Sequence, residues 1–457
     1  MVATSVRRLL PLSLLLCLLL CAPAGASRTQ PLTFEAPRDL MNPATRQAAL
    51  DEMQSLGVRS LRVILLWSSV APGSDQATQP KFEPTNPAGY DWGQYDALMA
   101  AAKARNWPVL MTISGPAPKW ATKSRLDNKT RPTPSAFAAF TTAVGRHYGD
   151  QVRTWAIWNE PNQPQFLLPQ FAAGGKPASP AIYRELYRAG VRGLTKAGQG
   201  ADEFLIGETS PRGTGRVVAP LTFLREMLCL NSKYRRIGKC APLSADGYAH
   251  HAYTTKQGPS FKPPPNDVTI GVLSRLTKAL DRARRAGALT KRLPLHLTEF
   301  GIQSTPDTTS GVSLAKQVQY RAISERIAYD NPRVASFSQY LLTDSDASPP
   351  GVFSGFESGL RFANGKPKPS LAAFRLPLAV RRSARKVSIW GLVRPATGVT
   401  SATVTYADRG SSAFKRLRAV KTDARGYFQF SSTWRSGRRW NLSWQDQTGS
   451  PVGSYTR

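Results

Sequence analysis

The sequence predicts an α/β chain: a (β/α)8 TIM barrel over residues 27–378, then a small all-β sandwich domain over 379–457. Three observations point there. Short apolar runs alternate with amphipathic stretches of helical period through the first part, the order that builds a parallel sheet covered by helices. There are eight such units, which fit a closed barrel in this length, and the Gly-rich fingerprint of an open dinucleotide-binding sheet is missing from the sequence. Past Leu378 the period changes to two, with Gly-containing turns between the runs.

Residues 32–35 (LTFE) read as the first strand. Asn42 caps and Pro43 opens a helix with Leu50, Met53 and Leu56 on one face, and Gly57 ends it. Residues 60–67 (SLRVILLW) form the second strand, 90–105 a helix carrying Tyr95, Leu98, Met99 and Ala102, and 107–113 the third strand. Pro134 starts a helix that turns Phe137, Phe140 and Val144 inward. Residues 154–158 (TWAIW) are apolar on both faces, as a buried parallel strand is, and Pro161 stops the ladder. The alternation continues with a helix at 183–197, a strand at 204–207, a helix at 221–230 and a strand from 245–248. A basic amphipathic helix at 268–286, a strand at 293–298, a helix at 314–329, a strand at 334–342 and a helix from 370–374 complete it. Segments 114–131 and 253–267 lack a period and follow strand ends, so they are expected as loops over the barrel mouth. Beyond the barrel, 387–390, 402–406, 427–430 and 440–444 alternate. Residues 422–430 (TDARGYFQF) resemble the turn and strand of exported bacterial Ig-like repeats; a cap packed on the barrel and a binding module are both open readings of this unit.

Arg7 and Arg8, the Leu-rich run 9–20 and Ala24-Gly25-Ala26 have the layout of a signal peptide over 1–26. The apolar run is short for a bilayer, so the mature chain is expected outside the cell with no membrane attachment. Cleavage leaves Cys229 and Cys240, close in sequence, and a local disulfide is expected. The sequence has no HExxH, CxxC or phosphate-loop pattern, and neither metal nor other cofactor is expected. The formal net charge of +32 bears on adhesion and solubility rather than on fold. No nucleic-acid motif accompanies it, so no specific nucleic acid is expected. An acidic cell-wall polymer fits such a surface, as does plain solvation.

Glu160, in Trp158-Asn159-Glu160-Pro161-Asn162, closes the fourth strand, and Glu299, in Thr298-Glu299-Phe300-Gly301, closes the seventh. Both strand ends of a closed barrel project into one mouth. Two facing carboxylates are what glycosidic cleavage needs: one protonates the leaving oxygen, and the other attacks or activates water at the anomeric carbon. A closed site also separates their pKa values.

These two motifs resemble those of glycoside hydrolase clan A, with families 39 and 5 the nearest. Residues 140–152 (FTTAVGRHYGDQV) resemble the helix and Tyr-Gly turn before the clan's acid/base strand, and 359–362 (GLRF) with 366–369 (KPKP) resemble its closing segment. The likeness covers about 32–376. It implies a secreted retaining glycosidase acting on a β-linked oligo- or polysaccharide, with Glu160 as acid/base and Glu299 as nucleophile. It further implies that Asn159 holds the sugar 2-hydroxyl, Arg62 helps keep the nucleophile ionised, Tyr253 orients Glu299 and His251 touches substrate. Neighbours on a regular strand face opposite ways, so only one of His250 and His251 points inward. Trp67, Trp120, Trp158 and Tyr340 are candidates to stack on sugar. The eighth strand (SQYLL, 338–342) lacks the Trp often found there in the clan, which leaves the sugar open. Glu208 is a third carboxylate that either contacts substrate or pairs with Arg212, the pairing being the favoured expectation. The alternative reading is a catalytically lapsed carbohydrate- or wall-binding protein on the same scaffold.

Overall fold

The computed structural model describes residues 30–345 and 355–456; the expected signal segment lies outside them. Eight parallel strands close a barrel in sequence order: β1 (Leu32–Glu35), β2 (Leu61–Leu66), β3 (Val109–Ser114), β4 (Val152–Ile157), β5 (Glu203–Thr209), β6 (Gly247–His251), β7 (Leu295–Glu299) and β8 (Val334–Tyr340). Alternation along them sends Leu61, Val63 and Leu65 of β2 toward the helices and Arg62 into the barrel. On that inner side Leu110, Ala156, Leu205 and Ala249 form a small apolar cluster of their own. The pairing is uneven. β2 runs along β3 from Leu61↔Val109 to Leu66↔Ser114, whereas β1 meets β2 only at Phe34↔Leu61 and keeps to β8.

The helices are α1 (Pro37–Met41), α2 (Pro43–Ser55), α3 (Trp67–Val70), α4 (Gly93–Ala104), α5 (Pro134–Tyr148), α6 (Ser179–Lys196), α7 (Pro220–Met227), α8 (Leu273–Arg285), α9 (Leu314–Tyr329) and α10 (Pro369–Arg375). Asn42 caps α2 by accepting the Ala44 N–H at 3.0 Å, and Pro43 occupies its first turn, where no N–H is missed. Two expectations shift. Trp67 opens α3 instead of ending a strand, and the expected 268–286 helix divides into a 3-10 turn, Ile270–Val272, and α8. The Cys229–Cys240 disulfide forms in the connection between α7 and β6.

The second unit is β9 (Leu378–Ser383), β10 (Lys386–Leu392), β11 (Ser401–Ala407), β12 (Lys415–Lys421), β13 (Tyr427–Thr433), β14 (Arg439–Trp444), β15 (Gln447–Thr448) and β16 (Val452–Tyr455). Pairing follows β12-β11-β14-β16-β9-β10-β13, with β16 joining the two halves around a core that includes Val380, Ile389, Val404, Trp440 and Leu442. The edge strand β12 exposes Lys415, Arg416, Arg418 and Lys421, charges that blunt an open sheet edge against further pairing. The unit docks on α9. Arg326 donates to the carbonyls of Ala379 at 3.1 Å and Ser388 at 2.7 Å, and Glu325 lies between Arg321 at 2.8 Å and Arg394 at 2.7 Å.

Candidate active site

The site is built from strand ends. Past β4 the backbone enters the left-handed region at Trp158 (φ 67°) and Glu160 (φ 38°), a costly conformation for residues with side chains. It is held by two hydrogen bonds. The Asn159 N–H donates to Ser114 Oγ at 2.9 Å, and the Glu160 N–H donates to the Glu208 carbonyl at 2.9 Å. Glu208 has φ 49°, at a register shift between Gly207 and Thr209 that interrupts the β5–β6 ladder. Glu299 is the last residue of β7.

Arg62 and His251 gather these carboxylates. One Arg62 nitrogen, Nη1, contacts Glu299 Oε2 at 3.2 Å and also binds the Glu35 carboxylate. The other, Nη2, donates to Asn159 Oδ1 at 2.8 Å and to the Glu208 carboxylate. His251 Nδ1 lies 2.9 Å from Glu160 Oε1 and 3.3 Å from Glu299 Oε2, while its Nε2 lies 2.9 Å from Glu208 Oε2. Tyr253 donates its hydroxyl to Glu299 Oε1 at 2.7 Å. Thus Glu160, Glu299, Asn159, Arg62, His251 and Tyr253 come together. His250 faces the other way, with Nδ1 2.9 Å from Thr209 Oγ1 and Nε2 2.8 Å from the Val268 carbonyl.

Burial and these charges set the protonation pattern. Burial opposes a charge on His251, but Glu299, Glu160 and Glu208 outweigh it and lift the imidazolium to about 10. Burial also raises Glu208, yet Arg62 and His251 prevail and hold it down to about 2. The Glu160 carboxyl is raised above its ordinary value by burial, against the pull of His251. Burial raises Glu35 to about 7, with Arg62 opposing. The cluster therefore holds a lastingly ionised carboxylate, Glu208, beside two cations, and next to them a carboxyl, Glu160, that burial shifts upward. Among the described residues no group of His, Cys, Asp and Glu is placed to hold a metal ion.

Glu35, Arg62, Asn159, Glu160, Glu299 and Tyr340 face a cavity of about 700 Å³. Three tryptophans do not line it. Trp67 is buried and stacks on Phe140, with ring centroids 5.1 Å apart. Trp120 packs edge-on against Trp67 and donates to the Pro72 carbonyl at 3.2 Å. Trp158 is buried beside Phe137 and donates to the Phe166 carbonyl at 3.1 Å. The expected sugar platform at these tryptophans is corrected accordingly: an aromatic at a strand end reads alike whether it points up or packs outward. Tyr95, Phe166, Tyr340 and Phe356 supply the aromatic wall instead. The expected Glu208–Arg212 pair is also corrected, since Glu208 binds Arg62 and His251, and Arg212 lies over the Phe261 ring. Sequence reasoning missed Glu35, although it ends an apolar strand just as Glu299 does. Phe166 and Phe356 sit in irregular segments that carry no periodic signal.

No family model matches the chain, and no curated protein matches it by sequence. Solved structures share its fold. A glucosidase from Croceicoccus marinus is similar with a TM-score of 0.52 at 12% identity, over 92% of this chain and 96% of that one. A family 39 glycoside hydrolase from the gut symbiont Bacteroides cellulosilyticus WH2 is similar with a TM-score of 0.55 at 15% identity, over 91% and 81%.

Proposed function

We propose that this chain is a secreted glycoside hydrolase that cleaves β-linked glycans or glycosides by double displacement, with Glu160 as acid/base and Glu299 as nucleophile. One observation carries the reading: the two carboxylates, from the ends of β4 and β7, meet at the same nitrogen of His251, at 2.9 and 3.3 Å. Their nearest oxygens are separated by no more than those two contacts laid end to end. That span is shorter than the roughly 6.5–9.5 Å an inverting pair needs to admit a water between them. The shared fold of two solved glycosidases is in keeping with it.

In the first half-reaction the proton of Glu160 passes to the glycosidic oxygen as its bond to the anomeric carbon breaks, and a Glu299 oxygen bonds that carbon from the opposite face. In the second, water attacks the same carbon, gives its proton to Glu160 and releases Glu299. The raised Glu160 carboxyl suits the donor. Tyr253 and Arg62 fix the two oxygens of Glu299. Asn159 spends its oxygen on Arg62, which leaves its amide NH2 to donate to a sugar hydroxyl. Export rests on the residues 1–26 pattern and agrees with a disulfide, a bond that persists in oxidising compartments. The exposed cations of β12 offer an acidic wall polymer a surface.

Activated aryl β-glycosides test the reading. On them Glu299→Gln is expected to lose at least about 10³-fold in kcat/KM, and Glu160→Gln to lose as much on alkyl β-glycosides, whose leaving oxygen needs its proton, with the fold intact by circular dichroism. Rates equal to those of the unaltered protein in both variants overturn it.

A further inference from the structure

The cavity does not stop at the carboxylates. Beyond the single β1–β2 pair at Phe34↔Leu61, α1 leaves β1 at once and β2 continues alone beside β3, so a gap opens between them. An arm of the cavity runs into this gap. Its walls are Leu40 and Met41 of α1, Ile64 and Leu66 of β2, and Leu98 of α4. Tyr95 also reaches it, but its hydroxyl already accepts the Leu66 N–H at 3.0 Å. Ser69 and Gln94, the polar side chains on this side, are exposed and belong to the rim.

We infer that this arm takes a hydrocarbon chain carried by the sugar substrate, so that the preferred glycosides are amphiphilic. This rests on the glycosidase reading for what sits at the carboxylates. A second sugar is a poor occupant. Its hydroxyls need partners, and against aliphatic walls they lose water without gaining any. Sugar faces also stack on flat aromatic rings, and Tyr95 is the one ring among the otherwise aliphatic side chains named here. An alkyl or acyl chain loses nothing of that kind and gains from each methylene withdrawn from water. Met41, Ile64 and Leu66 keep part of their surface open to the arm, and Leu40 and Leu98, each only 2% exposed, are packed behind them. The whole cavity, about 700 Å³, exceeds what one sugar ring at Glu160 and Glu299 fills.

Titration calorimetry on the full mature chain tests this without requiring turnover. The probes are 1-butanol, 1-hexanol and 1-octanol, then methyl, hexyl and octyl β-D-glucoside below micellar concentration, and 6-O-octanoyl-D-glucose against D-glucose. Alkanol affinity is expected to rise by up to about fourfold per added methylene until the arm is filled. Met41→Gln with Ile64→Gln, both half-exposed positions, is expected to flatten that dependence. Met41→Trp, which fills the arm while keeping it apolar, is expected to shorten the chain length at which the gain stops. A gain for octyl glucoside over methyl glucoside places the chain at the anomeric oxygen; a gain for the octanoyl ester over glucose places it at the far end of the ring. Either supports the inference. Chain-length independence in the unaltered protein overturns it, and so does a dependence untouched by both Met41 variants. Glu160→Gln is expected to keep the alkanol dependence, so failure of the hydrolase reading leaves a distinct signature: chain-dependent binding with hydrolysis indifferent to Glu160.

Discussion

His251 touches Glu160, Glu208 and Glu299 with two nitrogens, and its charge, with that of Arg62, lets them sit together. Its imidazolium pulls the Glu160 pKa down against burial. Replacing His251 by Asn removes that pull, so the Glu160 carboxyl should rise further. The alkaline limb of kcat/KM against pH, which reports the acid of the free enzyme, should then move upward while the rate falls. A limb that stays or moves down contradicts this role. Glu208 makes the opposite kind of contribution. Its pKa is depressed to about 2 in the folded chain from an ordinary 4.5, so its stabilisation is present above 4.5 and is lost as pH falls toward 2. Glu208→Gln should cost about 3 kcal/mol of unfolding free energy at pH 7 and much less near pH 2, as read by urea denaturation at both values. An equal cost at both removes the charge from the explanation. At this scale most of the carboxylate cluster was legible. Glu160 and Glu299 stand out by type and by place at strand ends, and Asn159, Arg62, His251 and Tyr253 follow from the resemblance of the motifs around them. What sequence could not supply was direction: Glu35 goes in, Trp67 goes out, and nothing in either residue's neighbours says which.

Among elements, α9 explains why a helix inside a barrel protein lacks a single apolar stripe. One side packs on the barrel and another receives the β unit, so Gln317, Arg321, Ser324, Glu325 and Arg326 are all buried. Glu325 neutralises Arg321 and Arg394 at once. Glu325→Ala should lower stability by about 3–5 kcal/mol, because two buried guanidinium groups lose their partner; a change under about 1 kcal/mol in chemical denaturation contradicts the packing described. Gly57 belongs to the same seam. It was readable as a helix stop, and φ 85° agrees. A Cβ there would also lie 2.4 Å from the Arg394 carbonyl oxygen, a contact that no local pattern announces. The barrel strands were legible because parallel strands are apolar throughout. β12, with Lys415, Arg416 and Arg418 exposed at a sheet edge, was not, because Val420 alone of its seven residues is buried and no alternation shows.

For the whole molecule, the β unit is bound to the barrel by buried polar contacts that neither part satisfies alone. Arg326 uses the carbonyls of Ala379 and Ser388, and Tyr329 packs on Trp390 with ring centroids 5.5 Å apart. A chain ending at Pro377 leaves these groups unpaired on an exposed helix. It should show a lower thermal midpoint and a tendency to aggregate, as light scattering would reveal, and an unchanged midpoint would make the unit an independent module. The central claim concerns the two carboxylates at the barrel mouth, and a covalent trap reaches it most directly. Intact-mass and peptide spectrometry after incubation with a panel of activated 2-deoxy-2-fluoro β-glycosides should find one fluorosugar, attached to Glu299. Turnover of the parent aryl glycosides with no adduct, or an adduct on any other residue, contradicts the assignment.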